Sequence, residues 1–297
     1  MHLVVGATGR LGGQIATMLL ERGERVRAVV RSDSPARAFA AHTDPEALRA
    51  LGAELVDVDL TRPDGLPAAL QGVTTVITTA SGTKRPPPDT VGAVDHEGTA
   101  ALARAAADAG VRQFVYVSAK GAAPGAPGIV GEKWLGEEAV RASGVPATIV
   151  RPPLFMQDWI GFVIGAQLQG GTRVQLVGDG DPMVTFVDEA DVARLVVEVA
   201  RRGDAVGETL ELASEAATHA DVVRRIGATI GTPVEVQRIP VGATVDTVPD
   251  EIAPTLTGLL TMLAMMPPDE RTTPETAERY GLRLTGIDAW LRGAFGG

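Results

Sequence analysis

A buried strand, a run of glycines and a helix follow one another at the start of this chain, and few folds accommodate that order. His2 to Val5 is an apolar run behind one histidine, and Gly6, Gly9 and Gly12 then fall three apart within GATGRLG, ahead of a stretch that ends near Gly23. In such a turn Gly6 permits the sharp reversal, Gly9 lets the backbone approach a ligand, and Gly12 lets the helix pack closely on the strand. The first N–H groups of a helix have no partner within it and carry partial positive charge. The turn therefore suits an anionic diphosphate, with Thr8, Arg10 and Leu11 beside the glycines completing the cradle. A glycine pattern by itself is often only a turn; the strand before it and the helix after it give this one its meaning.

The rest of the chain repeats the rhythm. Arg25 to Val30, Glu54 to Val58, Val73 to Thr78, Gln113 to Val117 and Ala147 to Val150 read as short strands separated by helical stretches. Apolar strands with helical crossovers predict an α/β fold with a doubly wound parallel sheet, a Rossmann fold, covered on both faces. After Arg151 the pattern changes. A helix over Val187 to Arg202, a strand over Thr209 to Leu212, a helix over His219 to Ile230 and a strand over Val234 to Ile239 predict a smaller α+β part that binds substrate. The expected division is residues 1–152 as the nucleotide-binding core and 153–297 as a mixed region that completes the sheet and forms the substrate pocket and lid. The Met-rich run Leu259 to Met266 suits either a lid or ordinary core packing.

Charge and cysteine content narrow the function. Thirty-seven acidic against 27 basic residues give a net charge of -10, which opposes nucleic acid as a partner. With no cysteine there is no disulfide, thiolate nucleophile or zinc-thiolate site, and four scattered histidines make no metal-ligand pattern, so no metal is expected. The opening residues read as a strand rather than a cleavable leader, and no run reaches the roughly 18 apolar residues that span a bilayer. A cytoplasmic protein without a membrane partner is expected.

The second strand ends in Val29, Val30, Arg31. NAD-selective sites of this fold place an acidic residue here for the ribose hydroxyls. An arginine instead can hold the 2′-phosphate of NADP with two charge-assisted hydrogen bonds, and Ser32 adds a hydroxyl, so NADP(H) is the expected cofactor. The alternative is a solvated surface arginine, and Asp33 must point outward for the phosphate reading to hold.

Five segments together resemble the atypical short-chain dehydrogenases, in particular their NmrA-like and quinone-oxidoreductase-like branch. They are GATGRLG with VVRS, DVDLTRPDGLPAALQGVTTVI, VDHEGTAALARAAADAGVRQFVYVS, EEAVRASGVPATIVRP and GDGDPMVTFVDEADVARLVV. The resemblance implies that Asp59 and Leu60 lie beside the adenine and that Thr79, Ala80 and Ser81 line the nicotinamide-side ribose. It also implies that Ser118 closes the fifth strand under the nicotinamide, and that Pro152, Pro153 and Leu154 follow the sixth strand past the ring. The standard enzymes of this class carry Tyr-x-x-x-Lys on the next helix. Lys133 matches the lysine, but the tyrosine position is Ile129, which cannot transfer a proton. Asp95 stands where extended members often have asparagine. Of the two tyrosines, Tyr116 lies in mid-strand, where a core role fits best.

Three catalytic candidates follow. Lys133 either holds ribose hydroxyls and stabilises charge on a substrate oxygen, or is a helix lysine paired with Glu137 one turn on. Ser118 accompanies it by the resemblance. Asp158 either donates a proton from an apolar setting or is a helix-start carboxylate. Phe155, Met156 and Trp159 either wall an apolar substrate pocket or pack in the core. The expected activity is NADPH-dependent hydride transfer to a small apolar quinone, enone or carbonyl compound. Two alternatives stand beside it: an NmrA-type NADP(H) sensor without turnover, and a redox-neutral epimerase- or cyclase-like enzyme. A homodimer is compatible with all three.

Overall fold

The computed structural model describes residues 1–31, 44–83, 85 and 88–296. Ser32, Asp33 and His42 lie outside the described residues. The chain divides into two compact units, one of residues 1–152, 192–211 and 278–282, the other of 153–191, 212–277 and 283–297.

The first unit is built on a parallel sheet of seven strands: β1 (His2–Val5), β2 (Val26–Val30), β3 (Glu54–Asp57), β4 (Thr75–Thr78), β5 (Gln113–Val117), β6 (Ala147–Arg151) and β10 (Thr209–Glu211). Their order is β10-β6-β5-β4-β1-β2-β3. The apolar runs form strands because both faces are covered: every residue of β1, β4 and β5 is buried. Leu3, Ile77, Phe114 and Tyr116 are fully enclosed; burying each such side chain contributes about 1.5–3 kcal/mol. The helices of this unit are α1 (Arg10–Glu21), α2 (Pro45–Ala50), α3 (Leu66–Ala69), α4 (Thr99–Asp108), α5 (Gly128–Ala142), most of α6 (Glu189–Arg202) and the last three residues of α9 (Pro274–Tyr280). In α1 the buried Leu11, Ile15 and Leu19 recur every fourth residue, the spacing of one helical face. Strand order reverses between β1 and β4: β2 and β3 extend to one side and β5, β6 and β10 to the other. That reversal leaves a crevice at the carboxyl ends of β1 and β4, where ligands bind in sheets of this kind.

The second unit has its own apolar core, with Met156, Ile160, Ile164, Phe186, Val222, Ile226, Leu256 and Ile287 all fully buried. It holds β7 (Leu154–Phe155), β8 (Arg173–Val177), β9 (Val184–Val187), β11 (Glu215–Ala217) and β12 (Glu235–Ile239) in a three-stranded sheet β11-β9-β7 and a parallel pair β12-β8. Helices α7 (His219–Ile230), α8 (Ala253–Ala264) and α10 (Ile287–Phe295) pack in the same unit. The α7 boundaries are those the periodicity predicts. Thr218 caps this helix on the Asp221 N–H, and Gly231 ends it in the left-handed conformation, φ 70°.

His219, the first residue of α7, is buried edge-on to Phe186 with ring centroids 5.7 Å apart, and its Nε2 has no hydrogen-bond partner among the described residues. Burial disfavours the imidazolium and lowers the pKa from 6.5 to about 4, against the opposing pull of Asp181. Between those values the unfolded chain binds a proton that the native state does not, so stability falls as the pH drops from 6.5 to 4. This one group contributes up to about 3 kcal/mol of that loss. We expect His219→Phe to flatten the pH dependence of urea unfolding across this window relative to wild type; an unchanged slope would show the histidine is not buried neutral.

Candidate active site at the carboxyl ends of the first sheet

The glycine turn is held by close backbone approach. Gly6 has φ 86°, and its carbonyl accepts from the Gly9 N–H at 2.9 Å. A Cβ on Gly12 would lie 2.2 Å from the Gly6 carbonyl oxygen and 2.7 Å from Thr79 Oγ1, and one on Gly6 would lie 2.7 Å from the same Thr79 oxygen. Gly6 and Gly12 are therefore required by the fold itself, because β1, α1 and the end of β4 meet there. Gly9 differs. It has ordinary β-region angles, and a Cβ would meet only the Gly6 oxygen, at 3.2 Å. Gly9 is also the N-cap of α1, which no side chain caps and whose first turn carries no acidic residue. Uncapped N–H groups above a residue whose missing Cβ leaves outward space fit a diphosphate. Thr8 and Arg10 are half-buried at this turn, and Leu11 is buried beneath it. Arg31 follows β2 directly and is half-buried, on the strand next to the cradle.

Asp59, just beyond β3, is buried and accepts from the Thr61 N–H at 2.9 Å, from Thr61 Oγ1 at 3.0 Å and from both terminal nitrogens of Arg85. Burial alone would raise its pKa, but these bonds outweigh it and hold the carboxyl well below the usual range. Leu60 is buried beside it. Arg85 sits in the proline-rich loop after β4, and sequence reasoning did not single it out. Its partner is 26 residues away, so no local spacing links them.

Lys133, in α5, is 5% exposed, and three partners surround its ammonium: the Ala80 carbonyl at 3.2 Å, the Val117 carbonyl at 3.1 Å and Asp95 Oδ1 at 3.0 Å. An ammonium has three N–H groups. Burial favours the neutral amine, yet the Tyr116 hydroxyl and the Asp95 carboxylate outweigh it and hold the lysine pKa above its ordinary value. Asp95, fully buried in the π-helical stretch Gly92–Gly98, accepts from the Gly82 N–H at 2.7 Å and from Ser81 Oγ at 3.4 Å through its other oxygen. Insertions of this helical type recur at functional sites. Tyr116 is fully buried and its hydroxyl donates to the Asp95 carbonyl at 3.2 Å, with Lys133 5.1 Å above the ring, so this tyrosine is part of the packing. Its pKa is pushed up by burial.

Lys133 does not pair with Glu137, the partner that helical spacing suggests. Glu137 is fully buried and accepts from Ser118 Oγ at 2.5 Å, from Arg151 Nε at 2.8 Å, from a terminal nitrogen of Arg151 at 2.7 Å and from Arg141 at 3.0 Å. Both arginines lie over Trp134, at 5.7 and 5.9 Å. Arg151 ends β6, and only the pairing of β5 with β6 brings it to the serine. Thr79 donates from its N–H to the Val5 carbonyl at 3.0 Å, and Pro152 accepts from the Lys120 N–H at 2.8 Å. The residues that follow β4 and β5, Thr79, Ala80, Ser81 and Ser118, are thus held by hydrogen bonds to β1 and to side chains of α5 and of the π-helical stretch. Ile129 is half-buried one turn before Lys133.

The remaining candidates belong to the second unit. Pro153, Leu154 and Phe155 are half-buried at β7, Met156 is enclosed in the apolar core, and Trp159 packs partly against that core. Asp158 is half-buried in the first turn of the π-helical stretch Gln157–Ile164, the place a helix-start carboxylate takes. Among the described residues no cluster of acidic and histidine side chains could hold a metal ion, and no helix is long and apolar enough to cross a membrane.

A sheet of this order with this cradle defines a Rossmann-type protein of the short-chain dehydrogenase class. The model of the NmrA-like family matches residues 2–291, and the chain belongs to that family. It is 32% identical to an NAD(P)H azoreductase of Xenophilus azovorans over 79% of this chain and 75% of that one. It is 30% identical to the photosystem II assembly factor Ycf39 of Trieres chinensis over 80% of this chain and 72% of that one. Among solved structures it is similar to an NADPH-dependent quinone oxidoreductase of Escherichia coli complexed with NADPH, with TM-score 0.75, 22% identity and coverage of 99% of this chain and 100% of that one.

Two outcomes are expected from substitution here. Gly12→Ala should destabilise the fold by about 2–3 kcal/mol because backbone must shift, whereas Gly9→Ala should melt within a few degrees of wild type and weaken dinucleotide binding at least about ten-fold; calorimetry with and without nucleotide separates them. Lys133→Met, which leaves the Asp95 carboxylate buried without its cation, should lower unfolding free energy by about 3–5 kcal/mol, and adding Asp95→Leu should restore part of it.

Proposed function

We propose that the chain is an NADP(H)-dependent reductase that passes hydride to a small apolar acceptor, of quinone or enone type before a simple carbonyl. The observation that carries this reading is the conjunction, in one unit, of an uncapped helix start above Gly9 with a buried lysine whose ammonium donates to two backbone carbonyls and is ion-paired with Asp95. The first binds a dinucleotide; the second, with Ile129 in place of the usual tyrosine, leaves the chemistry without the customary proton donor. NADPH, when bound, supplies the hydride. Arg31 beside the cradle selects the 2′-phosphate, Asp59 and Leu60 mark the adenine side, and Ala80, Ser81 and Ser118 border the nicotinamide side. A quinone that takes hydride becomes a stabilised anion that water protonates, so it needs no acid from the protein; a simple ketone becomes a strongly basic alkoxide and does. The azoreductase relative supports an oxidoreductase role.

A second reading is an NADP(H)-bound assembly or regulatory protein without turnover, favoured by the same lack of a proton donor and by the relative named as an assembly factor. Mixing the pure protein with NADPH and a panel of quinones, enones and ketones while following nicotinamide absorbance separates the two. We expect quinone-dependent oxidation of NADPH; tight NADPH binding with no oxidation by any acceptor selects the second reading. Arg31→Ala should raise the NADPH dissociation constant about 10- to 100-fold and leave that of NADH within about two-fold.

A further inference from the structure

Ser118 carries one hydroxyl proton, and its direction is set from behind. Its Oγ lies 2.5 Å from Oε1 of Glu137, which is 0% exposed and also accepts from Arg151 and Arg141. Arginine does not deprotonate in proteins, so every neighbour of this carboxylate is a donor, and a carboxylate flanked by two guanidinium groups has no proton to return. In the contact with Glu137 the serine must therefore be the donor. A hydroxyl has one proton and two lone pairs. With the proton directed at Glu137, only lone pairs are left to face anything else, and Ser118 itself is only 5% exposed. The neighbouring Lys133 directs two of its N–H groups at the Ala80 and Val117 carbonyls and is ion-paired with Asp95.

We propose that Glu137 is a positioning residue that makes Ser118 a hydrogen-bond acceptor toward the ligand, so that the site discriminates against simple ketones and aldehydes in favour of acceptors, such as quinones, that need no donated hydrogen bond. This rests on the reading of the chain as a reductase with Ser118 beside the nicotinamide. A ketone reduced here would develop alkoxide charge facing lone pairs, a repulsive arrangement in a water-poor site. A quinone spreads the same charge over its ring. In Glu137→Gln the amide oxygen stays on the side that accepts from two arginine nitrogens, and the N–H₂ takes the place of Oε1, opposite Arg151 Nε–H and Ser118 Oγ. Arg151 Nε must shift aside, and the N–H₂ then donates to Ser118 Oγ and turns the serine proton outward, where it can meet a carbonyl oxygen.

The test compares wild type, Ser118→Ala, Glu137→Gln and the double variant in two assays. In urea unfolding, removing Ser118 is expected to raise the unfolding equilibrium constant about 10-fold in the wild-type background and about 3-fold or less in the Glu137→Gln background. Equal effects in both backgrounds overturn the proposal whether or not the protein turns over any substrate. In the NADPH assay, with dissociation constants for NADPH measured alongside, the ratio of ketone to quinone kcat/KM is expected to rise about ten-fold in Glu137→Gln, to lose that rise in the double variant, and in Ser118→Ala to stay at or modestly above the wild-type ratio, because the repelling lone pairs are gone. A ratio that Glu137→Gln leaves unchanged, or one that Ser118→Ala lowers ten-fold, overturns the proposal. Should Glu137→Gln fail to fold, Ser118→Ala decides alone: an unchanged or raised ratio supports an acceptor serine, a ten-fold fall means that it donates. Coupling in unfolding with no turnover by any variant leaves the direction of the serine bond standing and removes the reductase reading instead.

Discussion

A single buried ammonium holds the carboxyl end of the first sheet together. Lys133 ties the residues after β4, the last residue of β5 and the π-helical stretch before α4 to helix α5, through Ala80, Val117 and Asp95. Each of those groups would be costly to bury alone: two carbonyls without partners, a carboxylate out of water, a cation out of water. Assembled, the charges offset one another and the two carbonyls are hydrogen-bonded, and the backbone at the carboxyl end of the sheet is fixed as a consequence. The lysine is a tie between strand ends and helical segments.

The same arrangement gives the proposed chemistry its character. Ile129 precedes Lys133 by one turn and carries no proton to give, while Ser118 donates to Glu137 and Lys133 to the Ala80 and Val117 carbonyls. A dinucleotide cradle next to such a surface favours electron acceptors over proton acceptors.

The sequence made the architecture of the first unit legible because its strands are buried on both faces, so that β1, β4 and β5 read as unbroken apolar runs, and because Gly6 and Gly12 sit where only glycine fits. The ion pairing was not legible. Lys133 and Glu137 are one helical turn apart and opposite in charge, and local spacing pairs them. What separates them is tertiary: Asp95 reaches the lysine from another helical segment, while Arg151 reaches Glu137 from a neighbouring strand. Arg85 was missed for the same reason, since Asp59 meets it only across the sheet's end. In the second unit, β7 and β11 are two and three residues long, too short for alternation to register. Ser32, expected beside Arg31, lies outside the described residues.

The edge strand β10 has a consequence for biosynthesis. It pairs with β6 through Thr209–Glu211, nearly sixty residues after β6 ends, with the whole of the second unit's first segment between them. A nascent chain that has just emerged through β6 therefore exposes that strand's unpaired N–H and C=O groups, an open template for other chains, until residue 211 clears the ribosome. Chaperone binding during that interval, and aggregation of fragments that stop at Pro152, are the natural costs of finishing the sheet with a strand drawn from so far along the chain.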